Sequence, residues 1–236
     1  GTFLRRLYVG LFWFWLPSIS VKKITVISEF TKKELLKLVP FINSKLSVIP
    51  NPINPIYSFH DKTFNSKCPE ILIIGTKKNK NIERLLKALK SVPCKLHIIG
   101  SLTKEQILLL NNLKLSFSNS SSLSTFEMKK VYQDCDVLCF PSTYEGFGMP
   151  IIEAQATGRV VITSNLGAMK EVAQGSACLV DPFDIISIRK GLKKVIEDHT
   201  YRNRLINKGL QNVKRFHPAL IAEAHMKVYK TILKTE

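Results

Sequence analysis

No apolar run in the sequence approaches the roughly 20 residues needed to span a bilayer; the longest, Val9 to Pro17 (VGLFWFWLP), stops well short. Arg5 and Arg6 precede it as the n-region of a signal peptide would, yet no small-residue cleavage site follows and the next segment reads as ordinary fold. The expectation for this run is an aromatic core or interface helix. Cysteine is sparse: five residues, at positions 68, 94, 135, 139 and 178, with no C-x-x-C pair and an odd total. That argues against a zinc ribbon or a complete disulfide framework and points to free thiols in a reducing, cytoplasmic compartment. None of the five histidines falls in an H-E-x-x-H or similar ligand spacing, so no metal site is expected. Acidic residues are outnumbered, 18 Asp+Glu against 35 Lys+Arg for a formal charge of +17, which favours anionic partners. No nucleic-acid-binding motif accompanies that charge, so nucleic acid is not an expected partner. A phosphorylated ligand, and peripheral docking on an anionic cytoplasmic membrane face, fit it better.

What is present is a regular alternation. Short apolar runs at Ile71–Ile74, Leu96–Ile99, Val137–Phe140, Val160–Thr163 and Cys178–Val180 are each followed by a helical stretch, which predicts a doubly wound parallel α/β sheet, Rossmann-like in class. Ile82, Leu85, Leu86 and Leu89 make a helical stripe, as do Ile188, Leu192, Val195 and Ile196. Capping boxes are expected at Thr31/Glu34, Thr103/Gln106 and Ser124/Glu127. Before residue 60 a strand at Ile24–Ile27, a helix from Thr31 to about Val39 and a strand at Leu46–Ile49 read as the tail of another, incomplete α/β unit. Asn51-Pro52, Asn54-Pro55 and the polar stretch from His60 to Pro69 make a linker. The expected division is 1–60, 61–215 and a C-terminal helix at 216–236 packing back on the N-terminal part, with His217-Pro218 breaking the helical tail. Ser116–Ser124 reads as low complexity.

In a doubly wound sheet ligands bind outside the carboxyl ends of the strands, and the unusual residues gather there. Gly75-Thr76-Lys77-Lys78-Asn79-Lys80 follows the first strand, Gly100-Ser101 the second, Pro141 to Met149 the third, and Asn165 to Gly167 the fourth. The Pro141–Pro150 loop runs into the apolar helix Ile151-Ile152-Glu153-Ala154, with Pro150 suited to the first helical position. Gly146 and Gly148 let backbone approach a ligand, and free amides at a helix start suit a diphosphate. Lys80 adds a positive charge. Glu153, expected in the first turn, offers an acceptor to ribose hydroxyls, and Glu145 lies nearer the reacting end. Read as a glycosidase pair, the two carboxylates would have no use for the adjoining amides and lysines. Asp134-Cys135-Asp136 resembles a metal-binding Asp-x-Asp but precedes its strand, which places it on the opposite edge, in a structural role.

Tyr144-Glu-Gly-Phe-Gly-Met-Pro-Ile-Ile-Glu-Ala154 resembles the signature of the retaining GT-B glycosyltransferases of group 1, in which two glutamates flank seven residues. The resemblance extends through Ile74 to Ile82, Leu96 to Gly100, Val137 to Ser142, Ser176 to Pro182, and upstream through Val26 to Phe30 and Val48 to Asn51. It implies transfer of a hexose from a nucleotide diphosphate sugar to a glycan or lipid-linked acceptor, with retention and without metal or other cofactor. By position it implies that Glu145 is catalytic, that Glu153 binds the donor ribose, that Gly146, Phe147, Gly148 and Met149 meet sugar and phosphate, and that Lys80, with Gly75 and Thr76, faces the diphosphate. Gly100, Ser101 and Asn165 would border the base. Thr76 stands where many members carry Arg, so Lys77 or Lys78 would have to replace that cation. The family's N-terminal, acceptor-binding domain is represented only by its last elements. A fragment of a longer protein, a shortened gene and a second polypeptide supplying the acceptor half are the alternatives left open.

Overall fold

The computed structural model describes residues 5 and 8–233. Arg6 and the outermost residues of both terminal segments lie outside the described residues. Six strands, β3 (Glu70–Ile74), β4 (Lys95–Ile99), β5 (Ser116–Ser120), β6 (Val137–Phe140), β7 (Val160–Ser164) and β8 (Cys178–Val180), form a parallel sheet in the order β5-β4-β3-β6-β7-β8. Successive residues point to opposite faces of a strand, and the core divides accordingly. Ile71, Ile73, Val137, Cys139, Val160 and Ile162 pack with Leu85, Leu86, Leu110 and Leu192 on one side. Leu72, Leu138, Phe140 and Val161 pack with Tyr132, Ile151, Ile152 and Met169 on the other. Both predicted stripes are inside: Ile82, Leu85, Leu86 and Leu89, and Ile188, Leu192 and Val195, are fully buried.

Two of the three capping boxes form, at Thr103/Gln106 and Ser124/Glu127, with both reciprocal hydrogen bonds. The third does not. The N-terminal helix spans Glu29–Leu38 and is capped by Ser28, whose side chain accepts from the Thr31 amide, while Glu34 pairs with Lys37 on the surface. Ser28 wins because its extended backbone lets the hydroxyl turn back onto the first turn. The serine-rich stretch is also corrected: Ser116–Ser120 is β5, the sheet's edge, parallel to β4. An edge strand with little to bury carries no apolar run. Its side chains instead tie it to β4, Asn119 Nδ2 donating to the Ile98 and Gly100 carbonyls at 2.8 Å each.

At the amino ends of the strands Asp136 is 2% exposed on its side chain and accepts from Lys62 Nζ at 2.5 Å, from the Glu70 amide at 2.8 Å and from the Asn65 amide at 3.3 Å. It fastens the linker to the start of β3. The Asp-x-Asp pattern is structural, on the edge away from the ligand-facing loops, as its position before β6 predicts.

Ahead of the linker a parallel pair, β1 (Ile24–Val26) and β2 (Leu46–Val48), packs with the Glu29–Leu38 helix around Val39 and Ile42. The aromatic run is not core: none of Gly10–Trp15 is buried, and Trp13 is 73% exposed. After a break at His217 the last helix, Pro218–Leu233, buries only Ile221. Just before it, the Phe216 carbonyl accepts from the Ile53 amide in the linker at 2.8 Å. Among the described residues no helix is long and apolar enough to cross a membrane.

Candidate functional site

β3 and β6 are the central neighbours at which the strand order reverses direction, so the crevice lies between their carboxyl ends. The two loops there are stitched together. The Thr143 amide donates to the Asn79 carbonyl at 2.8 Å, and Asn79 Nδ2 donates to the Tyr144 carbonyl at 3.0 Å and to Glu145 Oε1 at 3.3 Å. Lys80 Nζ lies 2.7 Å from Glu145 Oε1 and 4.7 Å over the Phe140 ring. Its stem crosses Gly75, where a Cβ would sit 2.9 Å from Lys80 Cγ and Cε and where φ is +86°. Glycine is required there on both counts. Asn81, not anticipated from sequence, adopts a left-handed conformation and is buried; its Nδ2 joins the loops after β3, β6 and β8 by donating to the Pro141 and Pro182 carbonyls.

The Pro141–Gly148 loop ends on Gly148, left-handed at φ +108°, at the N-cap of the Met149–Ala156 helix with no side-chain cap. Pro150 is therefore the second helical residue rather than the first. Among the described residues the backbone amides of Glu145, Gly146, Phe147, Gly148 and Met149 meet no acceptor. A run of unmet donors at the positive end of a helix is a receptor for an anion. The loop's other contacts hold it from behind. The Gly146 carbonyl accepts from Ser28 Oγ at 2.7 Å and Thr31 Oγ1 at 3.0 Å, and Phe147 packs edge-on against Phe216 at 5.5 Å. Glu171 caps the Glu29–Leu38 helix from the other half of the chain by accepting from the Glu29 and Phe30 amides. The Ser28, Thr31 and Glu171 contacts span more than a hundred residues of sequence, and no local pattern announced them.

Glu153 lies in the second turn of its helix, not the first, because the helix begins at Met149. Its Oε2 accepts from Tyr132 Oη at 2.6 Å. Burial pushes the Glu153 carboxyl up, and the Tyr132 hydrogen bond partly offsets this. Tyr57, from the linker, stands edge-on to Tyr132 at 5.3 Å. Burial first, and then the Glu153 charge, hold both phenols in their protonated form, Tyr57 pushed up to about 12.

The remaining predicted residues divide. Thr76 Oγ1 donates to the Ser101 carbonyl at 2.6 Å and its Cγ2 would meet a Cβ on Gly100 at 3.2 Å, so the loops after β3 and β4 touch. That hydrogen bond holds Thr76 at the mouth of the crevice, beside Gly75. Lys77 and Lys78 are exposed and form no ion pair among the described residues. Asn165 lies on the same edge after β7, exposed, with its amide on the Val180 carbonyl, and among the described residues no side-chain bond draws it to the other loops.

The fold is a doubly wound α/β sheet with an uncapped helix start and a lysine at its switch point. Residues 58–212 match the family model described as glycosyl transferases group 1, and the chain belongs to that family. It is 23% identical over 232 residues to a serotype-specific mannosyltransferase, WbdA, of Escherichia coli, an alignment covering 92% of this chain and 28% of that protein. Among solved structures it superposes on a glycosyltransferase of Rickettsia africae with a TM-score of 0.81 at 21% identity, covering 97% of this chain and 68% of that one. On Anabaena HepE, solved in complex with UDP and glucose, the TM-score is 0.76 at 16% identity, covering 91% and 64%. The fold is that of the GT-B glycosyltransferases, and the chain spans just over a quarter of the mannosyltransferase it matches.

Proposed function

We propose that the crevice binds a nucleoside diphosphate sugar and that the chain is the donor half of an enzyme transferring a hexose to a glycan or lipid-linked acceptor, with retention, in polysaccharide or cell-envelope glycan synthesis. The unpaired amides from Glu145 to Met149, beside Lys80, are the observation that carries this reading. They meet the diphosphate, Gly75 gives Lys80 room to reach it, and Glu145 faces the sugar at the reacting end. Glu153 takes the ribose, while Gly100, Ser101 and Asn165 border the base. The mannosyltransferase name of a relative supports a hexose, and the UDP and glucose bound to a structural neighbour support a nucleoside diphosphate donor. Fixed dipoles and one lysine supply stabilisation for the leaving diphosphate, and the reading calls on no metal or cofactor. Titrating UDP, GDP and ADP by calorimetry is expected to give binding of one nucleotide that Glu153→Ala loses. At a hundred times its dissociation constant that nucleotide should raise stability by about 2.7 kcal/mol. Failure of all three to bind the folded protein would sink the proposal.

A second reading, a donor-binding module inactive until an acceptor half joins it, is favoured by the exposed apolar side chains from Leu11 to Leu16 and by a parallel sheet that has, among the described residues, two strands, β1 and β2. Parallel strands are ordinarily covered on both faces. Whether the remainder is the rest of this chain or a partner polypeptide, transfer needs it. The +17 charge suits a cytoplasmic protein resting on an anionic leaflet, where each nearby Lys or Arg contributes about 1 kcal/mol. Sedimentation with vesicles is then expected to rise with phosphatidylglycerol content and fall with salt; indifference to the lipid charge would contradict it.

A further inference from the structure

We infer that Tyr132 is a positioning residue for the nucleotide site, its hydroxyl fixing the Glu153 carboxylate for a ribose while Tyr57 braces its ring from the linker. The inference rests on the reading above, in which Glu153 meets the ribose. Tyr132 is fully buried, and its phenol has Glu153 Oε2 as its one hydrogen-bond partner among the described residues. A buried phenol and a buried carboxylate each need a partner, and at 2.6 Å they satisfy one another. Tyr132 sits on the Thr125–Asp134 helix and Glu153 on Met149–Ala156, and both helices begin at the carboxyl edge of the sheet. Tyr132 lies in the last turn of its helix and Glu153 in the second turn of its own, and long helical side chains lean back toward the N-terminus of their helix. Glu153 Oε1 makes no hydrogen bond among the described residues, which leaves one oxygen for a ligand while the other is held.

The holding group is itself immobile. Arg159 Nε donates to the Tyr132 carbonyl at 2.9 Å, and Arg159 Nη2 donates to the Gln133 and His60 carbonyls. On the other side the Tyr57 ring meets Tyr132 at 84°, and Tyr57 is fixed in the linker by its amide on the Asn54 carbonyl at 3.0 Å. The titratable groups facing Glu153 are the two phenols, with Cys135 beside Tyr132 and no cation among them. Removing the Tyr132 hydroxyl takes away the contact that favours the charged carboxylate, so protonation of Glu153 then begins at higher pH.

The test is calorimetry of UDP, GDP and ADP, each beside its 2′-deoxy form, on the protein, Tyr132→Phe and Glu153→Gln, repeated down a pH series. In the unsubstituted protein the ribo form is expected to bind about tenfold more tightly than the deoxy form, a difference of about 1.4 kcal/mol. Glu153→Gln is expected to abolish the preference, and Tyr132→Phe to reduce it to about threefold and to move the acid fall in affinity to higher pH. A Tyr132→Phe variant with the original preference and the original pH profile overturns the inference, while the donor reading stands. No ribo preference in the unsubstituted protein removes Glu153 from the ribose, and the inference falls with it. Should Tyr132→Phe not fold, Tyr57→Leu, which keeps the hydroxyl but removes the edge-on ring, is expected to show the same loss in weaker form; an unchanged preference there also overturns it.

Discussion

Replacing Asp136 with alanine is expected to cost about 1 to 3 kcal/mol of folding stability, the penalty for a buried amide left without its acceptor. Lys62, 25% exposed, can turn to water once its partner is gone. The Glu70 amide has no such recourse, because the carboxylate is its acceptor at the foot of β3, whereas Asn65 is exposed and its amide can turn to water. The loss of that one acceptor outweighs the ion pair, whose cation reaches water. Asp136→Asn, which keeps one acceptor oxygen, should therefore recover part of the loss, whereas Lys62→Ala, which leaves the carboxylate both its amide donors, should cost less than Asp136→Ala. Urea unfolding of the three variants checks the order. Equal losses for Asp136→Ala and Lys62→Ala would place the stabilisation in the ion pair and contradict the account.

The second large effect divides by sign. Lys80→Ala is expected to weaken binding of the cognate nucleoside diphosphate about 10- to 100-fold, since a hydrogen bond to a charged group contributes about 1.5 to 3 kcal/mol. Binding of the nucleoside without phosphates should hardly change. Glu145→Gln removes the carboxylate that now holds Lys80 at 2.7 Å, frees the lysine and relieves repulsion of the phosphates. It is expected to tighten the same ligand a few-fold and to abolish sugar transfer by the complete enzyme. A purely structural ion pair would lose stability in both variants and shift affinity in neither. Calorimetry distinguishes the two outcomes, and high salt should narrow the gap between the variants.

The residues of the crevice loops were legible where backbone geometry forces a residue type. Gly75 and Gly148 are needed for left-handed turns, and Lys80 follows a strand whose buried run, Glu70–Ile74, is apolar almost throughout. Strands β6, β7 and β8 could be read for the same reason: a parallel strand covered on both faces is a continuous apolar run. β5 lacks that signature, being an edge with half-exposed side chains. Tyr132 was hidden differently. On its own helix it reads as one more apolar position, and only the fold brings its hydroxyl to a glutamate 21 residues away. Ser28 and Thr31 bind the Gly146 carbonyl across 118 and 115 residues, a separation at which no spacing rule operates. The turn that holds Glu153 was misjudged by a single residue, since the left-handed Gly148 lets the helix start at Met149, ahead of its proline.

The distribution of sulfur gives the molecule a chemical handle of its own. Cys94, Cys135, Cys139 and Cys178 are buried, and burial raises all four thiols, Cys94 to about 11 and Cys135 to about 12. Alkylating reagents attack the thiolate, so these four are shielded twice, by access and by ionisation. Cys68 is partly exposed and lies between Lys67 and Pro69, immediately ahead of β3 in the linker. A thiol-reactive dye therefore finds one site in the folded protein, and that site reports from the joint between the two halves of the chain without any engineered cysteine.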